Sequence, residues 1–116
     1  MPKIDDRTRL GHMLESAKIA VELIVGETRE SLKTDIKLSL ALVRSIEIVG
    51  EAGNNVSLSK QSELSMIPWR QIVGMRNRIV HAYFDVDLDV VWRTVTEELP
   101  PLIAELEKVI GSEEGS

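Results

Sequence analysis

Apolar residues recur along most of the chain at steps of three and four, the spacing of one face of an α-helix, and no pair of β-rich runs is joined by a hairpin turn. Leu10, Met13, Leu14, Ala17, Ala20, Val21 and Ile24 form the first stripe and predict a helix over about 6–26. Leu32, Ile36, Leu40, Val43, Ile46, Val49 and Ala52 form a second and predict one unbroken helix over about 31–53, stopped by Gly53-Asn54-Asn55. Residues 54–66 read as a loop with room for a helical turn. A third helix is expected to open at Pro68, where a missing N–H costs nothing, and to run to about Tyr83 with Ile72, Val73, Met75, Ile79 and Val80 inward. Asp87 is a suitable N-cap for a fourth helix over about 88–99. Pro100-Pro101 should break it and open a fifth, with Leu102, Ile103, Leu106, Val109 and Ile110 on its inner side. The expected fold is all-α, an up-and-down bundle of four to five helices.

At 116 residues, with 43% hydrophobic and 28% charged positions, the chain fits one soluble domain, expected over 1–110, followed by a disordered acidic tail over 111–116. It has no cysteine, which removes disulfides and thiolate metal sites and suits a reducing cytoplasm. No apolar run approaches a membrane span, and the polar, acidic start is wrong for a secretory signal. The net charge of −5 argues against a broad nucleic-acid surface, but charge is unevenly placed. Residues 65–84 hold Arg70, Arg76, Arg78 and His81 and no acid, so a basic strip lies on an acidic body.

The chemistry concentrates in Met75-Arg76-Asn77-Arg78-Ile79-Val80-His81-Ala82-Tyr83-Phe84. Arginine brings a fixed charge and a planar fork for phosphate oxygens, histidine exchanges a proton near neutral pH, and asparagine can orient either partner. Together these groups can cleave RNA without a metal: a base removes the 2′-hydroxyl proton while a cation stabilises charge growing on phosphorus oxygens. On a straight helix, however, His81 stands about 140° around from Arg76. Either the helix ends or deforms near His81, or residues from elsewhere complete the site, for instance across a two-fold dimer.

This run resembles the Arg-x4-His-x-Tyr signature of the HepT family, within the HEPN superfamily. Ile67-Pro68-Trp69 and Ile72-Val73-Gly74-Met75 before it, Phe84-Asp85-Val86-Asp87 and Val91-Trp92 after it, and the upstream run from Val43 through Ala52 are similar to the family's pattern too, so that the likeness covers about 5–110. The resemblance implies an all-α homodimer, cytoplasmic, acting as the ribonuclease toxin of a type VII toxin–antitoxin pair. Its antitoxin would be an MntA-like minimal nucleotidyltransferase that attaches AMP to a tyrosine. By position, Arg76 and His81 would be the catalytic pair, Asn77 the polar residue beside the arginine and Tyr83 the modified tyrosine. Arg78 occupies a variable place in the signature, where either a phosphate contact or a solvated side chain is compatible with the pattern. The reaction would be 2′-hydroxyl attack leaving a cyclic phosphate, with no cofactor or metal and with transfer RNA as a plausible substrate. A rival reading is a catalytically silent HEPN dimer that only binds the nucleotidyltransferase; it does not need the Arg and His that this chain retains. A plain helical bundle would leave the polar cluster unexplained.

Elsewhere, Arg44, Glu47 and Glu51 line one face of the second helix, as an intrahelical ion-pair ladder or as a polar wall beside the site. The ladder is the favoured expectation. Asp85, Asp87 and Asp89 lack the Gly and Glu that an EF-hand loop requires and fit a helix N-terminus better. Trp69 and Trp92 read as packing anchors, and His12 as a surface or structural residue. No Gly-rich phosphate loop, nucleophile elbow or zinc motif is present.

Overall fold

The computed structural model describes residues 4–82 and 85–114 and is all-α apart from one short strand pair. Three long helices, α1 (Asp6–Leu23), α3 (Ile36–Asn54) and α8 (Leu99–Glu114), make the frame, with α1 packed on both α3 and α8. Leu10, Met13, Ala17 and Ala20 of α1, Leu42, Ile46 and Val49 of α3, and Leu99 and Leu106 of α8 are fully buried between them. Asp5 caps α1 by accepting from the Thr8 N–H at 2.8 Å, and Gly26, at φ 77°, takes the left-handed turn that follows the helix. Asp6 accepts from both the backbone N–H and the hydroxyl of Ser57, at 2.8 and 2.6 Å, tying the start of α1 to the start of α4 (Leu58–Glu63). These hydrogen bonds, from Thr8 to Asp5 and from Ser57 to Asp6, hold both carboxyls below the usual aspartate range.

Four expectations need correction. The second helix is two: α2 (Ser31–Thr34) ends at Asp35, whose extended backbone and side chain, accepting from the Leu38 N–H at 3.1 Å, start α3 afresh. As a result Leu38 and Leu42 face the core, while Ile36 (72% exposed) and Leu40 (63%) point outward. The Pro100-Pro101 break does not occur. Asp87 caps α7 (Leu88–Arg93) through the Val90 N–H as expected, and α7 then runs through a π-helical segment (Thr94–Glu98) straight into α8. Both prolines fall in the first turn of α8, and the wide turn before them accommodates the lost donors. There Thr94 and Thr96 return their hydroxyls to the Val90 and Trp92 carbonyls at 2.7 and 2.8 Å. Finally, α8 continues through residues 111–114, beyond the expected domain end.

The predicted third helix over 68–83 is also interrupted. It comprises α5 (Trp69–Val73), a break at Gly74, α6 (Met75–Ile79) and then β1 (Val80–Ala82), which pairs antiparallel with β2 (Asp85–Val86). Ile72, Met75 and Ile79 anchor this segment in the core. It lies close against α3 because Gly50 and Gly53 carry no side chain. A Cβ would stand 3.1 Å from the Ile72 carbonyl at Gly50 and 3.1 Å from the Ile72 side chain at Gly53.

Candidate active site

The site is built where α6 ends. Val80 leaves helical geometry (φ −118°, ψ 108°), and the Asp87 N–H donates to the Ile79 carbonyl at 2.8 Å, so the incoming β2 end replaces the next helical turn. The helix therefore stops two residues before His81, the first of the two ways of escaping the straight-helix geometry. The backbone of His81 lies in β1; its side chain, and all of Tyr83, fall outside the described residues.

Arg76 stands on α6 with its side chain 56% exposed. Its Nε donates to Oε2 of Glu47 on α3 at 3.1 Å. Among the described residues, no other partner engages the guanidinium. Glu47 is only 28% exposed and fixes one edge of that group from the neighbouring helix. Arg76 and Asn77 open onto a groove of about 330 Å³, whose far wall is formed by Arg44, Glu47, Glu51 and Asn54 of α3. The favoured ladder reading of Arg44, Glu47 and Glu51 thus gives way to the polar wall, since the Glu47 carboxylate reaches across to Arg76.

On its other side Arg76 borders a second groove of about 570 Å³, mostly apolar, whose walls include Ile36, Leu40, Val43, Val80 and Leu88. Arg76 thus sits on the line between a polar and an apolar surface. Arg78, two positions on, faces away from both. Its Nη1 donates to the two carboxylate oxygens of Glu98 at 3.1 and 3.3 Å, and its Nη2 to the Gln71 carbonyl at 2.9 Å. Sequence reasoning missed Glu98 altogether, because its link to Arg78 spans twenty positions and follows no helical spacing. Trp69 packs against the core and donates Nε1–H to the Leu64 carbonyl at 3.0 Å. Trp92 packs there as well, and His12 is exposed. Asp89 pairs with Arg29 at 3.3 Å. Among the described residues, no three His, Cys, Asp or Glu side chains gather as a metal site would require, and no helix is long and apolar enough to cross a membrane.

A family model described as "Ribonuclease HepT-like" matches residues 13–109, which include all of α3 and the segment from Arg76 to His81. The chain belongs to the HepT-like ribonuclease family. Among similar HepT-like chains, the "Probable ribonuclease HepT" of Thermococcus cleftensis is 40% identical over 100 residues, covering 83% of this chain and 91% of that one. A protein of Caldanaerobacter subterraneus subsp. tengcongensis, named "Putative RNase", is 34% identical over 107 residues, 92% of this chain and 96% of its own. One of the same name from Methanocaldococcus jannaschii is 30% identical over 115 residues, 99% and 95% respectively. No solved structure matches the chain at a significant level.

Proposed function

We propose that this HepT-like chain is a metal-independent endoribonuclease in which Arg76 and His81 are the catalytic pair and Asn77 orients them. Membership of a ribonuclease family sets the coarse activity. The observation that carries the finer reading is Arg76 itself: half exposed, held among the described residues by Glu47 at its Nε edge, and bordering a groove shared with Asn77. The imidazole of His81 takes the proton from a ribose 2′-hydroxyl, and the oxygen attacks the adjacent phosphorus. The bond to the 5′-oxygen breaks, that oxygen takes a proton from water, and the imidazolium returns its proton to solvent, giving a cyclic phosphate. The Arg76 guanidinium stabilises the charge on the non-bridging oxygens throughout. To test this, the chain is expressed alone and as Arg76→Ala and His81→Ala, and RNA cleavage is measured with EDTA present. Loss of cleavage by about a thousandfold in each variant is expected. Undiminished cleavage in either variant, or its abolition by EDTA in the parent, overturns the mechanism.

The same reading extends to assembly and control. The cytoplasmic toxin acts as a homodimer on RNA, with transfer RNA as a candidate, opposite an MntA-like nucleotidyltransferase. What supports the dimer is the apolar groove beside Arg76 and the exposure of Ile36 and Leu40 on it. A second copy seated there brings two motif segments together. Leu40→Lys should shift the protein to monomer in sedimentation, and an unchanged dimer would exclude this face. AMP added to Tyr83 places bulk and negative charge two residues from His81, where it competes with RNA phosphate. Full activity in protein stoichiometrically modified at Tyr83 would refute this control.

A further inference from the structure

Resting on the reading of Arg76 and Asn77 as the RNA-facing residues, we propose that Arg78 is a positioning residue, clamped to Glu98 so that α6 holds Arg76 and Asn77 against the groove, and is not a phosphate contact.

Two steps along a helix are about 200°, so Arg76 and Arg78 cannot serve one face of α6. The structure bears this out: Arg76 borders the two grooves on α3, and Arg78 borders a separate depression with Asp87, Val90, Arg93 and Glu98. The Arg78 fork is also occupied. One terminal nitrogen engages both oxygens of Glu98, and the other holds the Gln71 carbonyl in α5. Both terminal nitrogens of Arg78 are thus engaged, whereas among the described residues Arg76 is held through Nε, so the Arg78 fork has the less to offer a phosphate. Glu98 lies 3.3 Å from the hydroxyl of buried Thr94, whose proton is directed first to the Val90 carbonyl at 2.7 Å.

The need for such a clamp follows from the shortness of α6. Five residues cannot sustain a helix alone, since nucleation costs more than one turn of hydrogen bonds returns. Met75 and Ile79 anchor one side in the core. Arg78 supplies a second point of attachment by bridging α5 to the π-helical segment, across the Gly74 break. With both points fixed, the helix cannot roll, and Arg76 and Asn77 keep their direction. Small displacements of a catalytic group are enough to lower a rate by as much as about a hundredfold.

The test compares the parent chain with Glu98→Gln, Arg78→Ala and the double variant. Steady-state cleavage of a single-stranded fluorogenic oligoribonucleotide is measured at several salt concentrations. Amide hydrogen exchange is followed over residues 75–79. The clamp predicts a fall in kcat of about tenfold in each single variant, with KM and its salt dependence unchanged. The double variant should be no worse than Arg78→Ala, because both remove one interaction, and exchange should quicken in every variant. A phosphate contact predicts the opposite split: Arg78→Ala raises KM, leaves kcat alone and flattens the salt slope by about one, while Glu98→Gln lowers KM. That pattern, or kinetics and exchange identical in all four proteins, overturns the proposal. If the parent does not cleave RNA, the functional reading fails separately, and exchange then decides alone: faster exchange in Glu98→Gln supports the clamp and unchanged exchange ends it.

Discussion

The long-helix frame and the motif segment are built by opposite means. In α1, α3 and α8 the apolar stripes run for four turns or more, and burial of Leu10, Leu42, Ile46 and Leu106 orders the helices. In α5, α6 and β1 no element exceeds five residues, and direction comes from bonds reaching outside the segment: the side-chain pairs of Arg76 with Glu47 and Arg78 with Glu98, and the backbone bond from the Asp87 N–H to the Ile79 carbonyl. The frame sets stability and the attachments set aim. A half-exposed arginine on so short a helix is compatible with a firm fold because the two tasks are assigned to different residues.

Disturbing the frame should have the largest effect on stability. Leu42→Ala removes a fully buried side chain between α1 and α3, and a loss of about 2–5 kcal/mol is expected in denaturant unfolding. A loss below half a kilocalorie would show that the frame does not divide from the motif segment as described. Glu47→Gln tests the other side. It should leave the unfolding midpoint nearly unchanged and lower kcat by about tenfold, since a neutral amide holds the Arg76 edge more weakly. Tighter RNA binding with unchanged kcat would mean that Glu47 competes with phosphate and does not orient the arginine. The smallest effect belongs to the attachment between α1 and α4. The Asp6 carboxyl is lowered in the folded state by its Ser57 hydrogen bonds, so the linked stability is present above the unfolded aspartate range and is lost as pH falls through the lower, folded value. Asp6→Asn should therefore show a slightly shallower drop in melting temperature on acidification. Superimposable profiles of parent and variant would remove Asp6 from the account.

The same division explains what could be read in advance. Periodicity located the frame helices and their stop signals, because a stripe of burial must repeat every turn or so. It placed Ile46, Val49 and Ala52 correctly but misjudged the start of α3, since Leu38 and Leu42 on one face and Ile36 and Leu40 on the next are equally apolar. The N-cap at Asp35 was missed, because the apolar stripe runs on past it without a gap. At the candidate site, Arg76 and Asn77 border one groove, and an end of the helix near His81 was one of the two ways out that the angular argument left open. Its actual cause, a hydrogen bond from Asp87 to Ile79, joins residues on separate elements and leaves no local trace. Glu98 was invisible for the same reason.

The wide turn at Thr94–Glu98 has a consequence for how this chain tolerates changes in length. A π-helical turn holds one residue more than the α-helical turn it replaces, so removal of a single residue there leaves an ordinary helix with the inward faces of α7 and α8 still in register. Such a shortened chain would keep its buried contacts while re-aiming the carboxylate that Arg78 grips. Related chains that differ by one position at this seam would share the scaffold and yet point the motif differently.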